Sequence, residues 1–350
     1  MISKMIPLRV FIIFTILVNA SLFSYCKPQS SEPDASRNEE VDAFAQNELI
    51  ARSVNLGNAL EAPNEGEWGV TLQSEYFRKI KSAGFTGVRI PIRWSAHAEV
   101  DSPYTISSDF LQRVDWAVNE ALTNDLAVMI NMHHYEEIME DPYGQKKRFL
   151  GLWQQLARHY RSYSSALFFE VLNEPTNKLT AEIWNEFLVE AIRVIRQQNK
   201  YRTLVIGTAE WGSFSALKKL VVPEDDTNII VTFHYYNPFQ FTHQGAEWVS
   251  GSEQWLGATW RGTANEELAI SQELDQVVLW AQQHQRPLFL GEFGAYNKAD
   301  MASRYAWTNF IAREAEKRDM SWAYWEFCAG FGIYEAGTGQ WNYLLDALIP

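Results

Sequence analysis

Cysteine is scarce in this sequence, with two residues in 350, Cys26 and Cys328. Cys26 lies in a stretch near the N-terminus that we interpret below as a targeting segment, so the folded part is expected to hold Cys328 alone. This excludes a disulfide framework and a cysteine-based metal site within the folded part. Because Cys328 lies in an apolar run, we expect it to be a small buried core residue.

Positively charged residues are also few, because the sequence has 30 Lys and Arg against 43 Asp and Glu, which gives a formal net charge of −13. Nucleic acids and anionic membranes are polyanions, and this balance argues against either as a partner. A neutral or cationic ligand fits the charge better.

Several motifs of common enzyme classes are missing. The sequence has no Gly-x-Ser-x-Gly, which removes the commonest serine-hydrolase interpretation. It has no His-x-His or His-Glu-x-x-His, and the adjacent His133 and His134 would point to opposite faces of a strand. We therefore predict no metal site and no cofactor.

The N-terminal region is predicted to contain a signal peptide followed by a flexible linker. Lys4 and Arg9 precede an apolar run over 10–18 that is too short to span a membrane comfortably, which is typical of a signal peptide over 1–26. Residues 27–42, rich in Ser, Pro, Glu and Asp, are predicted to be a flexible linker. We expect a secreted protein or one lipid-anchored to the bacterial cell envelope through Cys26, although Tyr25 departs from the usual lipoprotein box.

From residue 53 onward, short apolar runs alternate with helical patterns. Strands are predicted over 53–59, 87–93, 126–133, 167–173, 203–208, 229–235, 287–292 and 321–326. Helices are predicted over 72–83, 107–123, 146–163, 181–198, 266–283, 300–318 and 343–348, with a weaker pattern over 214–220. Eight such units predict an α/β fold, a single-domain (β/α)8 TIM barrel over 43–350. A doubly wound sheet is the alternative, but no Gly-rich phosphate loop follows the first strand.

The predicted strands end in polar groups, although their interiors are apolar. The residues in question are Asn58, Glu61, Arg89, His133, His134, Asn173, Glu174, Glu210, Trp211, His234, Tyr236, Glu292, Trp325 and Glu326. In a parallel barrel these ends converge on the face where active sites form. The pattern therefore predicts a site built from several strand ends.

Glu174 and Glu292 each follow a buried apolar run. Either one alone is as readily a rim residue paired with Lys or Arg. Opposite each other across a barrel mouth, two carboxylates suit cleavage of a glycosidic bond, where one protonates the leaving oxygen and the other attacks the anomeric carbon. Aromatic residues make up 14 % of the chain, including 14 Trp, more than core packing alone requires, and indoles stack on sugar rings.

Three short motifs carry a resemblance to a known family. Asn-Glu-Pro at 173–175, Gly-Glu-Phe-Gly at 291–294 and Arg-Ile-Pro at 89–91 resemble glycoside hydrolase family 5, whose members are retaining TIM-barrel glycosidases. The resemblance covers about 43–348. The stretches 58–68 and 232–256 resemble the thermophilic endoglucanase branch that also cuts mannan.

The resemblance implies a role for each residue of the site. Glu174 is expected to be the acid/base and Glu292 the nucleophile, with Arg89 close enough to lower the pKa of Glu292. Asn173 is implied to hydrogen-bond the sugar 2-hydroxyl, Tyr236 to hydrogen-bond the nucleophile, and His234 to lie beside Glu174. The resemblance also implies that His133 and His134 bind the sugar, that Trp325 stacks on it, and that further hydroxyls are bound by Asn58, Glu61 and Glu326. The peptide between Trp325 and Glu326 is expected to be strained and cis. Phe239, Phe241 and Trp248 are expected to form an apolar wall.

The expected substrate is β-1,4-glucan or mixed-linkage glucan, with β-mannan as a second substrate. The protein is expected to be a monomer. A barrel that binds carbohydrate without catalysis stays open, although both glutamates are present. A phosphate-handling isomerase is less favoured, because Trp325 and Glu326 would oppose an anion near the glycines of 330–332 and 337–339.

Overall fold

Eight parallel strands close into a barrel in sequence order, each hydrogen-bonded to the next and β8 back to β1. The computed structural model describes residues 41–350. The strands are Arg52–Asn55 (β1), Gly87–Ile90 (β2), Ala127–Asn131 (β3), Leu167–Glu170 (β4), Leu204–Gly207 (β5), Ile229–His234 (β6), Leu288–Phe293 (β7) and Ser321–Tyr324 (β8). Val54 of β1 pairs with Val88 on one side and Tyr324 on the other. The predicted (β/α)8 barrel is confirmed.

Helices surround the barrel and fill the connections between strands. They are Ala43–Leu49 (α1), Ser74–Ser82 (α2), Ser108–Thr123 (α3), Glu136–Glu140 (α4), Pro142–His159 (α5), Ala181–Arg196 (α6), Ala209–Gly212 (α7), Phe239–Thr242 (α8), Ala264–His284 (α9), Met301–Glu316 (α10) and Leu344–Leu348 (α11). A small hairpin of Tyr334–Glu335 (β9) and Gln340–Trp341 (β10) follows β8. No helix within 41–350 has the length and apolar character needed to cross a membrane.

The predicted signal peptide, Cys26 and residues 27–40 of the predicted linker lie outside the described residues. Asp42, at the end of that linker, caps α1, since its side chain accepts a hydrogen bond from the backbone N–H of Phe44. Helix α1, which sequence analysis did not predict, covers the N-terminal end of the barrel. Asn47 donates to the carbonyl of Leu288 at 3.0 Å, and Ser321 donates to the carbonyl of Asn47 at 2.6 Å.

Two apolar layers hold the barrel together. Inside it lies a small cluster with two side chains from the α1 region, two from β3 and one from each of β4 to β8: Ala43, Ile50, Ala127, Met129, Phe168, Val205, Ile230, Phe289 and Ala323. A larger layer between strands and helices contains the fully buried Trp94, Trp153 and Trp184. Many of the 14 tryptophans are therefore core residues, while Trp68, Trp211 and Trp248 are exposed.

All strands but β7 end earlier than predicted, and β7 continues one residue further, to Phe293. β1 ends at Asn55 rather than residue 59, and β4 ends at Glu170 rather than residue 173. The chain turns there through left-handed backbone, with φ of 62° at Asn58, 47° at His134 and 47° at Glu174. Asn58, His134 and Glu174, predicted as strand ends, therefore stand in loops on the face expected to carry the site, whereas the predicted site residues Arg89, His234 and Glu292 lie within β2, β6 and β7.

Cys328 is half-buried and packs beside the core, rather than within it as expected. It lies in the turn after β8, where the chain leaves the barrel.

Candidate active site

A fully buried arginine organises the mouth of the barrel. The guanidinium of Arg89, in β2, donates from Nε and Nη2 to both carboxylate oxygens of Glu170, at 2.6 and 2.7 Å. Its Nη1 donates to Oδ1 of Asn55 at 2.7 Å and to Oε1 of Glu292 at 2.8 Å, and Nη2 also donates to Oδ1 of Asn173 at 2.6 Å. Bidentate, charge-assisted bonds of this kind fix orientation as well as adding energy.

Asn55 carries this network to the other side of the barrel. Its Nδ2 donates to the carbonyls of Gly291 at 3.0 Å and Tyr324 at 3.2 Å, which ties β1 to β7 and β8. Sequence analysis missed both Asn55 and Glu170. The signal was present, because each is a polar residue within an apolar strand, where an unpaired group is costly.

The two predicted carboxylates meet beside this network. Oxygens of Glu174 and Glu292 and a ring nitrogen of His234 all lie within 4.8 Å of one another. Nδ1 of His234 is hydrogen-bonded to Oε1 of Glu174 at 2.7 Å and lies 3.5 Å from Oε2 of Glu292. Tyr236 donates to the same Oε2 at 3.0 Å.

These three donor groups could hold one metal ion by distance alone. Hydrogen bonds already account for them, however, since His234 bonds Glu174 while Arg89 and Tyr236 bond Glu292. Each of the three groups therefore already has a hydrogen-bond partner in the protein.

The electrostatics of Glu292 differ from the expectation. Burial raises the pKa of Glu292 above its ordinary value, although His234 and Arg89 both lower it. The expected lowering by Arg89 is present, but it is outweighed by desolvation, because this carboxylate is enclosed by protein. Part of the positive charge of Arg89 is also taken by Glu170.

The pKa values of three groups that contact Glu292 are raised. Burial lowers the pKa of Arg89, but Glu170 and Glu292 raise it beyond its ordinary value. Burial also lowers the pKa of His234, but Glu292 and Glu174 raise it overall. Burial, then Glu292, raises the pKa of Tyr236 well above its usual range, so its hydroxyl remains a donor.

An aromatic row leads away from the carboxylates. The rings of His133 and Trp325 are parallel with centroids 5.9 Å apart, and His133 meets His134 edge-on at 4.5 Å. Trp68, which was not predicted as a site residue, meets His134 edge-on at 5.5 Å. The expected cis peptide between Trp325 and Glu326 is present.

Glu61 and Glu326 are placed differently from the role the resemblance implied. Both carboxylates are buried and accept backbone N–H groups of their own loops. Glu61 accepts from Asn58 and Ala59, while Glu326 accepts from the N–H groups of Cys328, Ala329 and Phe331. Burial raises the pKa of Glu61 to about 8 and that of Glu326 to about 7. Through these hydrogen bonds, the two carboxylates stabilise the loops that follow β1 and β8.

These bonds also count against the phosphate-handling alternative. A phosphate near residues 330–332 would need the N–H groups of that loop, and Glu326 already occupies three of them. A carboxylate in that position would repel the anion.

The predicted apolar wall is partly wrong. Trp248 is exposed and meets Tyr296 edge-on at 4.9 Å, and Phe239 is partly exposed. Phe241 is instead buried in the core near Trp307, because α8 turns it inward. The ring of His243, which sequence analysis missed, stacks on Phe239 at 4.1 Å in its place.

A barrel with two facing carboxylates and stacking aromatics at the carboxyl ends of its strands defines a glycosidase-type site. The sequence profile described as cellulase (glycosyl hydrolase family 5) matches residues 50–330. The chain belongs to this family, which is one of glycosidases.

Individual relatives agree with this assignment. Endoglucanase H of Acetivibrio thermocellus is 36 % identical over 297 residues, which is 85 % of this chain but only 32 % of that longer protein. Cel5A of Thermotoga maritima, solved with mannotriose, is 55 % identical with a TM-score of 0.87, covering 88 % of this chain and all of that one. The cellulose synthase subunit Z of Clostridioides difficile is 42 % identical with a TM-score of 0.84, covering 86 % of this chain and all of that one.

The network makes a prediction for Glu170→Gln. Removing this charge leaves the buried guanidinium of Arg89 with one carboxylate instead of two, and breaking a buried ion pair typically costs about 3–5 kcal/mol. We expect the free energy of unfolding, measured by chemical denaturation, to fall by about 3 kcal/mol.

The matched control is Glu253→Gln, an exposed glutamate on the surface. Its denaturation midpoint should stay at the wild-type value. Equal midpoints for Glu170→Gln and wild type would contradict the view that Arg89 depends on Glu170.

Proposed function

We propose that the protein is an endo-acting, retaining glycoside hydrolase that cleaves β-1,4-glucan with Glu174 and Glu292. The observation that carries this proposal is the approach of the two carboxylates within 4.8 Å. Retaining enzymes place them about 5–5.5 Å apart, whereas inverting ones need roughly 6.5–9.5 Å to admit a water between them.

The different surroundings of the two glutamates support their roles. Glu292 is nearly enclosed and accepts bonds from Arg89 and Tyr236, which favour its ionised form as a nucleophile. The side chain of Glu174 is 28 % exposed and bonds to His234. A proton donor must reach the leaving oxygen and, later, water, so the more open carboxyl suits acid/base work.

The reaction then has two balanced steps. In the first, a Glu292 oxygen forms a bond to the anomeric carbon, the glycosidic C–O bond breaks, and Glu174 gives its proton to the departing oxygen. In the second, water attacks the same carbon, Glu174 takes a proton from it, and the bond to Glu292 breaks. The net result is hydrolysis with retention at the anomeric carbon.

Substrate choice follows from the stacking surfaces. Trp325 and Trp248 offer apolar faces, which bind pyranose rings without distinguishing the C2 epimers, glucose and mannose. The Thermotoga maritima relative was solved with cellobiose as well as mannotriose, which supports tolerance at C2. We therefore propose soluble β-1,4-glucan or mixed-linkage glucan as the main substrate, with glucomannan or galactomannan cleaved as well.

A panel of polysaccharides tests the substrate. Reducing ends released from carboxymethylcellulose, mixed-linkage glucan and glucomannan should rise while chain length falls rapidly, as internal cleavage requires. Activity on glucans with none on any mannan would remove the tolerance at C2. Release of only short products from chain ends would remove endo-action.

Substitution of each glutamate tests the catalytic roles. Glu174→Gln and Glu292→Gln should both fold and lose hydrolysis by at least a thousandfold, which corresponds to about 4 kcal/mol of barrier. With an activated aryl glycoside, azide should partly restore turnover of Glu292→Ala and give an α-glycosyl azide. A β-azide would show the roles reversed, and full activity in either Gln variant would refute the pair.

Tyr236→Phe tests the protonation state of Glu292. Because Glu292 must be ionised to attack, kcat/KM should be lost as pH falls through its raised pKa. Removing the hydroxyl donor takes away a bond that favours the carboxylate, so this acidic limb should move to higher pH. A bond to a charged group contributes about 1.5–3 kcal/mol, so kcat/KM should also fall by about ten- to a hundredfold.

The pH profile separates this effect from a general loss of structure. Tyr296→Phe removes a tyrosine hydroxyl that bonds Glu247 rather than either proposed catalytic glutamate, and should leave the acidic limb in place. An unchanged limb in Tyr236→Phe would mean that the hydroxyl does not govern Glu292.

A further inference from the structure

The backbone of His234 is paired on both sides, with β7 and with the segment after α7. His234 ends β6 and pairs with Glu292 of β7 at a register shift, and on its other side it forms a parallel bridge with Ser213. Its side chain is 4 % exposed. The residue that bonds Glu174 is therefore fixed from both sides.

Two glycines stand against this ring, one on each side. A Cβ placed on Gly212 would lie 3.1 Å from both Cγ and Nδ1 of His234. A Cβ on Gly291 would lie 3.1 Å from Nε2 of the same ring and 2.6 Å from Oγ1 of Thr232. Any larger residue at either position would press on the imidazole.

The chain is specially turned at the first of these glycines. Glu210, Trp211 and Gly212 follow β5 with φ of 57°, 59° and 68°, three successive residues in the left-handed region. Such backbone is costly for residues with a Cβ and is found mainly where surrounding structure holds it for a purpose. Here it brings the Gly212 backbone over the edge of the imidazole that bears Nδ1.

From this geometry we propose that Gly212 and Gly291 form a slot that positions His234, and through it Glu174, for proton transfer. Nδ1 is the atom bonded to Glu174 at 2.7 Å, so a side chain at Gly212 would displace the ring where that bond is made. The glycines are positioning residues, and the inference rests on the proposed role of Glu174 as acid/base.

Gly212→Ala tests the slot, with Gly339→Ala as its matched control. Gly339 has a φ of 73°, nearly that of Gly212, but lies in the exposed turn between β9 and β10, where a Cβ would make only ordinary contact at 3.6 Å. Both variants carry the same backbone penalty, and Gly212→Ala adds the contact with His234, so its melting temperature should fall further than that of Gly339→Ala. Only Gly212→Ala should affect the reaction.

The leaving group reveals which step is affected. On cellotetraose, whose leaving oxygen needs a proton, kcat/KM of Gly212→Ala should fall by about ten- to a hundredfold, the scale of a displacement of roughly 1 Å in a site. On a dinitrophenyl cellobioside, which needs no proton to depart, kcat/KM should stay within about twofold of the control. Equal losses on both substrates would mean a general structural effect and overturn the proposal.

A double-mutant cycle with His234→Ala gives a second test. Without the ring, the added methyl meets nothing, so Gly212→Ala should lower neither kcat/KM nor the melting temperature further than Gly339→Ala does in the same background. An undiminished effect of Gly212→Ala would overturn the slot. If Gly212→Ala alone fails to fold, the double variant Gly212→Ala with His234→Ala should fold. Failure of both variants to fold would also overturn the slot.

The cycle also separates this inference from the proposed function. Melting temperatures of the four proteins report the contact between Gly212 and His234 without any need for turnover. Absence of hydrolysis by the wild-type protein would instead count against the proposed function.

Discussion

The structure depends on one buried cation. Arg89 has no access to solvent, and taking a charge out of water is expensive unless its bonds are fully supplied. Asn55, Glu170, Asn173 and Glu292 supply them from β1, β4, the β4 loop and β7. Since these groups come from opposite sides of the barrel, the guanidinium can be satisfied only when the barrel is closed in the observed register. The same bonds therefore hold the fold and orient the carboxylate of Glu292.

Sharing Arg89 between two carboxylates sets the character of Glu292. Glu170 takes the bidentate edge, so Glu292 receives one bond from Nη1 and a second from Tyr236. Bidentate pairing with Arg89 would stabilise the anionic form of Glu292 further and lower its pKa. Burial opposes the cation and raises the pKa of Glu292 overall, because desolvation disfavours the charged form more than His234 and Arg89 favour it.

Sequence analysis predicted the barrel and the residues at its mouth because their signals are local. An apolar run ending in a charge, as before Glu174 and Glu292, is visible without the fold. The roles of Glu170 and Asn55 were missed because they depend on which strands are neighbours, and Glu61 and Glu326 because burial of a carboxylate by its own loop leaves no periodic trace. Phe241 was misplaced for a related reason: the direction of α8, rather than the spacing of its aromatics, turns the ring towards Trp307.

Several loops of the site share one backbone feature shortly after their strands end. Asn58, His134, Glu174 and Trp211 all have left-handed φ, which an isolated chain would avoid. A parallel barrel ends its ladder abruptly, so a side chain can be directed over the mouth only by a sharp reversal at that point. The cost of each reversal is met by bonds deeper in the mouth, such as Glu61 to the backbone of Ala59 and His234 to Glu174. The buried polar network below the mouth thus holds the side chains there in place. A change in that network should first alter the geometry of Glu174 and Glu292.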